Sequence, residues 1–172
     1  MKVLFARFVA LAAAAVATTT LPTAEPARAD EALIARGDYL ARIMDCTGCH
    51  TPGTMSGKPD MTMYLAGGDV GFEIPGLGIF WPPNLTPDEE TGLGSWSVDD
   101  ILTAVRTGER PDGRILAPIM PYHSYVALSD EDGLALATYL QSLAPISNQV
   151  PDPAGGPGDA TQPYQSIVVP AP

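Results

Sequence analysis

The sequence predicts an all-α fold in which a few helices are joined by long, irregular connections. Two observations support this prediction. Three segments repeat apolar residues at helical spacing, and the 17 Gly and 18 Pro residues fall mainly in the stretches between and after them. A chain of 172 residues is long enough for one such domain with its own apolar core.

The three predicted helices cover residues 30–44, 98–107 and 130–143, and their ends carry recognisable signals. Ser97 and Ser129 each precede a segment and can accept hydrogen bonds from its first backbone amides. Gly108 follows the second segment, where a left-handed residue commonly ends a helix, and Pro145 cannot continue the third. The faces expected to point inward carry Leu33, Ile34, Leu40, Ala41 and Met44; Ile101, Leu102 and Val105; and Leu134, Ala137 and Leu140, with Leu136 and Tyr139 as further candidates.

About fifty residues rich in Gly and Pro separate the first two predicted helices. Within them, residues 72–74 and 78–80 flank Pro75-Gly76-Leu77, which is consistent with a short β-hairpin. So long a loop in a compact domain usually wraps another group. We therefore expect the long loop to surround something that the domain binds.

The first 29 residues are predicted to be a secretory signal rather than part of the fold. Lys2 and Arg7 supply positive charge, residues 8–17 are apolar, and Ala27-Arg28-Ala29 places small residues before a cleavage site at Asp30. The apolar run is shorter than the roughly 20 residues that span a bilayer, and an uncleaved anchor is the alternative. We expect an exported, mature chain without a transmembrane span, with its folded domain over residues 30–145.

Residues 146–172 form a Pro- and Gly-rich C-terminal tail. The density of proline excludes a helix, so the tail is either disordered or an extended strap along the surface of the domain. The apolar residues Ile167–Val169 would give such a strap a segment with which to dock.

The charge balance excludes several classes of function. Nine Lys and Arg residues stand against 20 Asp and Glu residues, which gives a formal charge of −11. Binding to nucleic acid depends on clustered Lys and Arg that neutralise phosphates, so we expect no nucleic-acid partner. A protein partner should instead present positive patches. The two cysteines allow at most one disulfide, which excludes a disulfide-stapled miniprotein.

Both cysteines and one of the two histidines lie in Cys46-Thr47-Gly48-Cys49-His50. This is the C-x-x-C-H pattern of covalent c-type haem attachment, in which two thiols bind one porphyrin and the histidine binds its iron. A thioredoxin-like site would need a βαβ context, and a structural zinc site would need four ligands, for which His123 is the only other histidine. The motif therefore predicts one covalent haem c, with Cys46 and Cys49 as attachment points and His50 as an iron ligand.

Met120 is the best candidate for the second axial position of that iron. Pro118 and Pro121 hold its loop extended and out of any helix, directly before the last predicted helix. If that helix packs on the first one, the loop crosses the haem face opposite His50. We therefore predict that Met120 is the distal ligand.

Other side chains that could reach the iron are given different roles. Met44 lies two residues before Cys46, on the same side as the attachment point, so it cannot easily reach the opposite face. Met61 and Met63 are expected to be apolar filler around the porphyrin, which suits the adaptable methionine side chain. His123 is expected at the surface of a loop, and a His/His iron through this residue stays open.

Aromatic and basic residues offer further contacts to a porphyrin. Trp81 and Trp96 are candidates to line it, with packing in the core or the loops as the alternative for each. Arg106, Arg110 and Arg114 fall close together and could neutralise haem propionates. Alternatively, Arg106 stabilises the C-terminal end of its own helix and the other two arginines are solvated.

Several motifs occur in a fixed order along the chain: Gly37-Asp38-Tyr39-Leu40 before residues 46–51; Pro83-Asn84-Leu85-Thr86-Pro87-Asp88 with Thr91-Gly92-Leu93-Gly94-Ser95-Trp96; and Met120-Pro121-Tyr122 before residues 128–132. Together they resemble the class I cytochrome c family over most of residues 30–145. They are similar in particular to the cytochrome subunits of periplasmic bacterial dehydrogenases such as alcohol dehydrogenase. Those subunits often carry three C-x-x-C-H modules, whereas this chain has one.

The resemblance implies a fold, a ligand set and a function. The N- and C-terminal helices would cross where Gly37 permits a close approach. Cys46 and Cys49 would bind haem covalently, and the axial ligands would be His50 and Met120.

With both axial positions filled, the iron has no open site, so its chemistry is one-electron exchange. The expected function is therefore electron transfer in the periplasm rather than catalysis by an enzyme. The chain would accept electrons from a dehydrogenase and pass them toward a terminal oxidase or another cytochrome. The alternative is a gas-binding or peroxidase-like haem protein with a displaceable distal ligand.

Overall fold

A computed structural model of the chain describes residues 26–168, with side chains from residue 30 onward. The predicted export signal, residues 1–29, lies outside the described residues except for the helical backbone of residues 26–29, so it stays a prediction. The helices are α1 (Pro26–Ile43), α2 (Cys46–His50), α3 (Val98–Thr107), α4 (Tyr122–Tyr125) and α5 (Asp130–Ser142). The strands are β1 (Gly71–Ile74), β2 (Gly78–Phe80) and β3 (Tyr164–Gln165), and single 3-10 turns form at Thr54–Ser56, Met61–Met63 and Pro157–Asp159.

The regular secondary structure of the described chain is mostly helical and also includes a small sheet, so the all-α prediction is incomplete. Strands β1 and β2 pair antiparallel, with Phe72 opposite Phe80, and they coincide with the two segments that carry the hairpin signal. Strand β3 pairs with β1 in parallel, which gives the sheet order β2-β1-β3. The sequence signal for β3 is absent because this strand has only two residues and comes from the C-terminal tail.

Helices α1 and α5 cross at Gly37, and the core is built around this crossing. A Cβ atom on Gly37 would overlap the carbonyl oxygen of Ala135 and the Cβ atom of Tyr139, so only glycine allows the two backbones to lie this close. Leu40 and Leu136 are buried in the same cluster, and Arg36 of α1 binds Asp132 of α5 with a 2.8 Å ion pair.

One predicted core position in α5 is wrong. Leu134 is 44% exposed, whereas Ala135, Ala137 and Tyr139 are buried. The close crossing selects small side chains on the inner face of α5, and the more hydrophobic leucine points away from it.

Helix α3 begins with a complete capping box. The Ser97 hydroxyl accepts from the backbone amide of Asp100 at 3.1 Å, and the Asp100 carboxylate accepts from the amide of Ser97 at 2.9 Å. At the other end, Gly108 adopts a left-handed conformation with a φ of 78° and closes the helix as predicted. Arg106 then joins α3 to α5, since it binds Asp130 at 2.9 Å and donates to the carbonyl of Leu128 at 2.8 Å.

The C-terminal tail is an extended segment bound to the domain, which we call the strap (residues 146–165). Ile79 and Ala154 exchange two backbone hydrogen bonds of 2.8 and 2.9 Å. Farther along, the carbonyl of Pro163 accepts from the amide of Gly71 at 2.9 Å and from the indole nitrogen of Trp81 at 3.1 Å. Of the two predicted states of the tail, the structure shows the strap over these residues.

The strap does not dock through the residues expected from the sequence. Ile167 is 79% exposed and Val168 is 84% exposed, while Val169 lies outside the described residues. Ala154 is buried instead, and Val150 and Tyr164 pack against the same small cluster. Among residues 26–168, no helix is both long and apolar enough to cross a membrane.

Candidate haem site

A cavity of about 610 Å³ lies between the helices, the sheet and the strap. This volume falls within the range of about 300–1,000 Å³ that is typical of pockets for small molecules and cofactors. All four residues that the sequence assigns to the site line it, namely Cys46, Cys49, His50 and Met120. The structure thus brings together side chains that are separated by more than seventy positions in the sequence.

The attachment motif forms helix α2, and a sharp turn at Asp45 separates it from α1. Asp45 has φ 55° and ψ 40°, a left-handed conformation that aspartate tolerates better than most residues. A Cβ atom on Gly48 would overlap the Asp45 carboxylate, so the glycine in the motif leaves room for the side chain that makes the turn. Local sequence therefore fixes how the two cysteines and the histidine are presented.

His50 is 7% exposed and is held through both its ring and its backbone. The Nδ1 atom lies 2.8 Å from the carbonyl oxygen of Pro83, and the carbonyl of His50 accepts from the amide of Gly67 at 2.9 Å. Since a carbonyl only accepts, Nδ1 carries the proton and the lone pair on Nε2 is available to a metal. Burial lowers the pKa of His50, more than the hydrogen bond to Pro83 raises it, which favours this neutral form.

The two thiols are also neutral in their surroundings. Burial raises the pKa of Cys46 to about 11, and burial followed by the nearby Asp45 carboxylate raises the pKa of Cys49. The two cysteines are unpaired with each other. Both are thus free to form thioether bonds with a porphyrin.

Met120 reaches the cavity from the loop that leads into helix α4. The backbone amide of Met120 donates to Ala117 at 2.9 Å, and its carbonyl accepts from Tyr122 at 2.8 Å. The loop lies outside any helix, as predicted, but it turns tightly on both sides of Met120, so the prediction that its prolines hold it extended is wrong. Pro121 caps α4, whose Tyr125 hydroxyl donates to the carbonyl of Met44 at 3.1 Å. This contact ties the Met120 loop to the segment that precedes the attachment motif.

The other methionine and histidine candidates differ in whether they line the cavity. Met61 is 57% exposed, and neither it nor Met63 lines the cavity, so the prediction that they pack around a porphyrin is wrong. No residue of the 3-10 turn that they occupy lines the cavity. His123 is exposed and is not a lining residue, in agreement with its predicted position on the surface, whereas Met44 does line the cavity.

Most of the aromatic and basic residues predicted to contact a porphyrin line the cavity. Trp81 and Trp96 both line the cavity, as do Arg110 and Arg114. The guanidinium of Arg110 lies 5.1 Å from the centre of the Trp96 ring, a distance at which cation and ring attract. Arg106 is not a lining residue, because its side chain is engaged at the start of α5.

Sequence reasoning missed two parts of the site. The Pro83 carbonyl that binds His50 is a backbone group, which no side-chain pattern reveals. Residues 149–153 of the strap also line the cavity, although only the proline content of the tail suggested an extended path.

The cavity and its donors fit a covalently attached porphyrin. Two neutral thiols and a neutral imidazole lie along one short helix, and much of the rest of the lining is aromatic and aliphatic. Within the described residues, no group of three or more His, Cys, Asp or Glu side chains is placed to hold a metal ion, which is the arrangement that a zinc site would require.

Comparisons with known proteins place this chain among the cytochromes c. The family model for cytochrome c matches residues 34–144. The chain is 39% identical over 127 residues to the cytochrome c subunit of a quinone alcohol dehydrogenase from Gluconobacter oxydans, which covers 72% of this chain and 25% of that protein. It is 42% identical over 121 residues to the cytochrome c subunit of a gluconate 2-dehydrogenase from Pantoea cypripedii, covering 70% of this chain and 25% of the relative.

A shorter relative is a dihaem c-type cytochrome from Cereibacter sphaeroides, which is 30% identical over 134 residues, or 78% of this chain and 42% of its own length. The chain spans about a quarter of the length of the two dehydrogenase subunits.

Proposed function

The chain belongs to the cytochrome c family, as a class I c-type cytochrome, and we propose that it is a periplasmic one-electron carrier with a single covalent haem. The observation that carries this proposal is the convergence of Cys46, Cys49, His50 and Met120 on one largely apolar cavity. The buried His50, with its Nδ1 proton bound by Pro83, is already in the form that ligates iron.

Each of these residues has a distinct role in the proposal. Cys46 and Cys49 anchor the porphyrin through thioether bonds, so that it cannot dissociate. His50 and Met120 are the two axial ligands, and together they leave no position for oxygen, peroxide or substrate. Haem bound in this way supplies an iron that exchanges one electron between its ferrous and ferric states.

The remaining lining residues set the surroundings of the iron. Apolar and aromatic side chains such as Phe72, Phe80 and Trp81 keep water out, which favours the less charged ferrous state and raises the reduction potential. We assign Arg110 and Arg114 to the haem propionates, because among the described residues these two arginines are the basic side chains that line the cavity. Asp112 accepts from the amide of Arg114 at 3.0 Å and so fixes the loop between the two arginines.

We further propose that the electron donor is a dehydrogenase and that the acceptor is another cytochrome or a terminal oxidase. The support for the donor is the naming of similar proteins as cytochrome c subunits of alcohol, gluconate and fructose dehydrogenases. The formal charge of −11 favours partners with positive docking surfaces. Association should then weaken as salt rises, since mobile ions screen exposed charges.

The ligand assignment is tested with Met120→Ala in the exported protein. The wild-type ferric form should show the far-red charge-transfer band of a methionine–iron bond, and its ferrous form should not bind carbon monoxide. Met120→Ala should lose that band and gain carbon monoxide binding. An unchanged spectrum in the variant would show that Met120 is not the distal ligand, whereas ready binding of carbon monoxide by the wild type would favour the gas-binding alternative.

The proximal side is tested with His50→Ala, with His123→Ala as a matched histidine control. His50→Ala should block stable assembly of covalent holoprotein, measured by mass and by absorbance. His123→Ala should yield normal holoprotein, since that side chain is exposed and does not line the cavity. Normal holoprotein from both variants would overturn the assignment of His50.

A further inference from the structure

Three polar side chains in the loop of residues 83–91 form a continuous hydrogen-bond network that holds the strap, and the side chain of Asn148 adds one further bond from the strap to the domain. Asn84 is 1% exposed, and all the hydrogen-bonding capacity of its amide is used. Its Nδ2 donates to the carbonyl of Ile146 at 2.7 Å and to the hydroxyl of Thr91 at 3.0 Å. Its Oδ1 accepts from the backbone amide and the hydroxyl of Thr86 at 2.9 and 2.8 Å.

The same network holds the backbone of the strap at two positions, residues 146 and 148. The amide of Ile146 donates to the hydroxyl of Thr86 at 3.1 Å, and the amide of Asn148 donates to the hydroxyl of Thr91 at 3.0 Å. The Asn148 side chain then donates to the carbonyl of Ala66 at 2.7 Å. We call the side chains of Asn84, Thr86, Thr91 and Asn148 the latch.

Two glycines leave space for the strap where it continues beyond the latch. A Cβ atom on Gly67 would lie 2.5 Å from a methyl carbon of Val150, and one on Gly78 would overlap the carbonyl of Ala154. Both glycines have positive φ values, 108° and 122°, which other residues rarely adopt. The body of the domain is therefore shaped to receive the strap at several separate points.

The latch lies between the strap and the proximal side of the cavity. Asn84 directly follows Pro83, whose carbonyl binds the Nδ1 proton of His50. Asn148 directly precedes residues 149–153, which line the cavity. Release of the latch would thus remove one wall of the cavity.

We propose that the latch holds the strap as a wall that keeps water from the iron, which makes its four side chains positioning residues for electron transfer. This inference rests on the proposed function, because the wall affects a reduction potential only if haem fills the cavity. Water that enters beside the iron stabilises the more highly charged ferric state, so an open strap lowers the potential.

The test compares Thr91→Val with Thr91→Ser in the haem-loaded protein. Valine keeps the size of the side chain but removes the hydroxyl, which accepts from the Asn148 amide and the Asn84 side chain and donates to Asp88 at 2.7 Å. Serine keeps that hydroxyl. Asn148→Ala acts from the strap side: it removes the side chain that donates to the buried carbonyl of Ala66 and keeps the bond from the Asn148 backbone amide to Thr91. Ser147→Ala is the control, since Ser147 is an exposed neighbour that neither lines the cavity nor belongs to the latch.

Two readouts are measured on each variant. Hydrogen exchange at the amides of Ile79 and Ala154 reports opening of the strap, and it should rise by roughly 10- to 100-fold in Thr91→Val and Asn148→Ala, as expected when a buried polar group loses its partner. The reduction potential of the same two variants should fall below that of wild type, while the methionine band persists. Thr91→Ser and Ser147→Ala should match the wild type in both readouts.

Three outcomes would overturn the inference. Unchanged exchange in Thr91→Val would show that the latch does not hold the strap. Faster exchange with an unchanged potential would show that the strap is not a wall of the haem cavity, although the proposed function would stand. A wild-type protein without covalent haem would instead overturn the proposed function itself.

Discussion

Replacement of Gly37 by alanine tests whether the close crossing of α1 and α5 organises the domain. The substitution has two opposing effects. In the middle of a helix, alanine is more favourable than glycine by about 1 kcal/mol, so helix propensity alone predicts a more stable protein. At this position, however, the added methyl group meets the backbone of Ala135 and the Cβ atom of Tyr139.

The size of the clash follows from the structure. The Cβ atom would lie 2.8 Å from the carbonyl carbon of Ala135 and closer still to its oxygen, whereas ordinary carbon contacts begin near 3.5 Å. Backbone atoms cannot rotate away, so the helices must separate by about 1 Å, and overpacking of this kind costs about 1–3 kcal/mol. Separation also strains the 3.2 Å hydrogen bond between the hydroxyls of Tyr139 and Tyr64. Overpacking near the upper end of that range costs about 3 kcal/mol, and helix propensity returns about 1 kcal/mol. We therefore expect a net loss of about 2 kcal/mol in the free energy of unfolding.

The assay is urea unfolding of the haem-loaded protein, followed by far-ultraviolet circular dichroism. Ala35→Gly serves as the control, because Ala35 is exposed inside the same helix and should lose only the propensity difference of about 1 kcal/mol. Gly37→Ala should lose more than this control does. A Gly37→Ala protein as stable as the wild type, or more stable, would refute the crossing as described.

Two further predictions concern helix capping and acid stability. Ser97→Ala should lower the free energy of unfolding by about 1 kcal/mol, because it removes one half of the capping box with Asp100. The control is Ser166→Ala, at an exposed serine, which should stay within about 0.5 kcal/mol of the wild type in the same urea titration. Hydrogen bonds from Thr91 hold the pKa of Asp88 below its ordinary value, and those from Arg36 do the same for Asp132. Since both carboxyls have lower pKa values folded than unfolded, their stabilisation is present above the unfolded value near pH 4 and is lost as the pH falls through the folded values. The urea midpoint should thus be steady at neutral pH and should decrease once the pH is lowered below about 4. Asp132→Asn should make the midpoint less dependent on pH in this range. A midpoint that rises on acidification would contradict the predicted sign.

The helices could be predicted from the sequence because their signals are local. Ser97, Gly108 and Ser129 act within one turn of the helices that they bound, so the ends of α3 and the start of α5 agree with the prediction. Leu134 was placed wrongly because its burial depends on which face of α5 meets Gly37, and that is a tertiary property. Strand β3 pairs with a strand about ninety residues away, a distance at which two residues carry no signal.

For the candidate site too, the sequence reveals some of the residues and not others. Cys46, Cys49 and His50 lie within five residues, so their joint presence in one cavity follows from the motif. Met120 could be inferred because the prolines around it keep its loop out of a helix, although they do not hold the loop extended. The role of Pro83 could not be inferred, because the group that binds His50 is a backbone carbonyl. Met61 and Met63 were misplaced because residue type shows that a side chain can pack against a porphyrin but does not show where its turn lies.

The strap also changes where the domain can be divided. The predicted boundary after residue 145 and the family match to residue 144 both stop at the end of α5, yet the cavity is lined as far as Pro153. Asn84 and Thr86 lie inside the matched range and are buried. Their side chains form hydrogen bonds with the backbone of Ile146, which lies beyond the matched range. A fragment cut after residue 145 would leave the Asn84 amide with fewer partners and would open the cavity. The matched range therefore carries the proposed haem ligands, whereas the cavity proposed to hold the haem also depends on residues that follow that range.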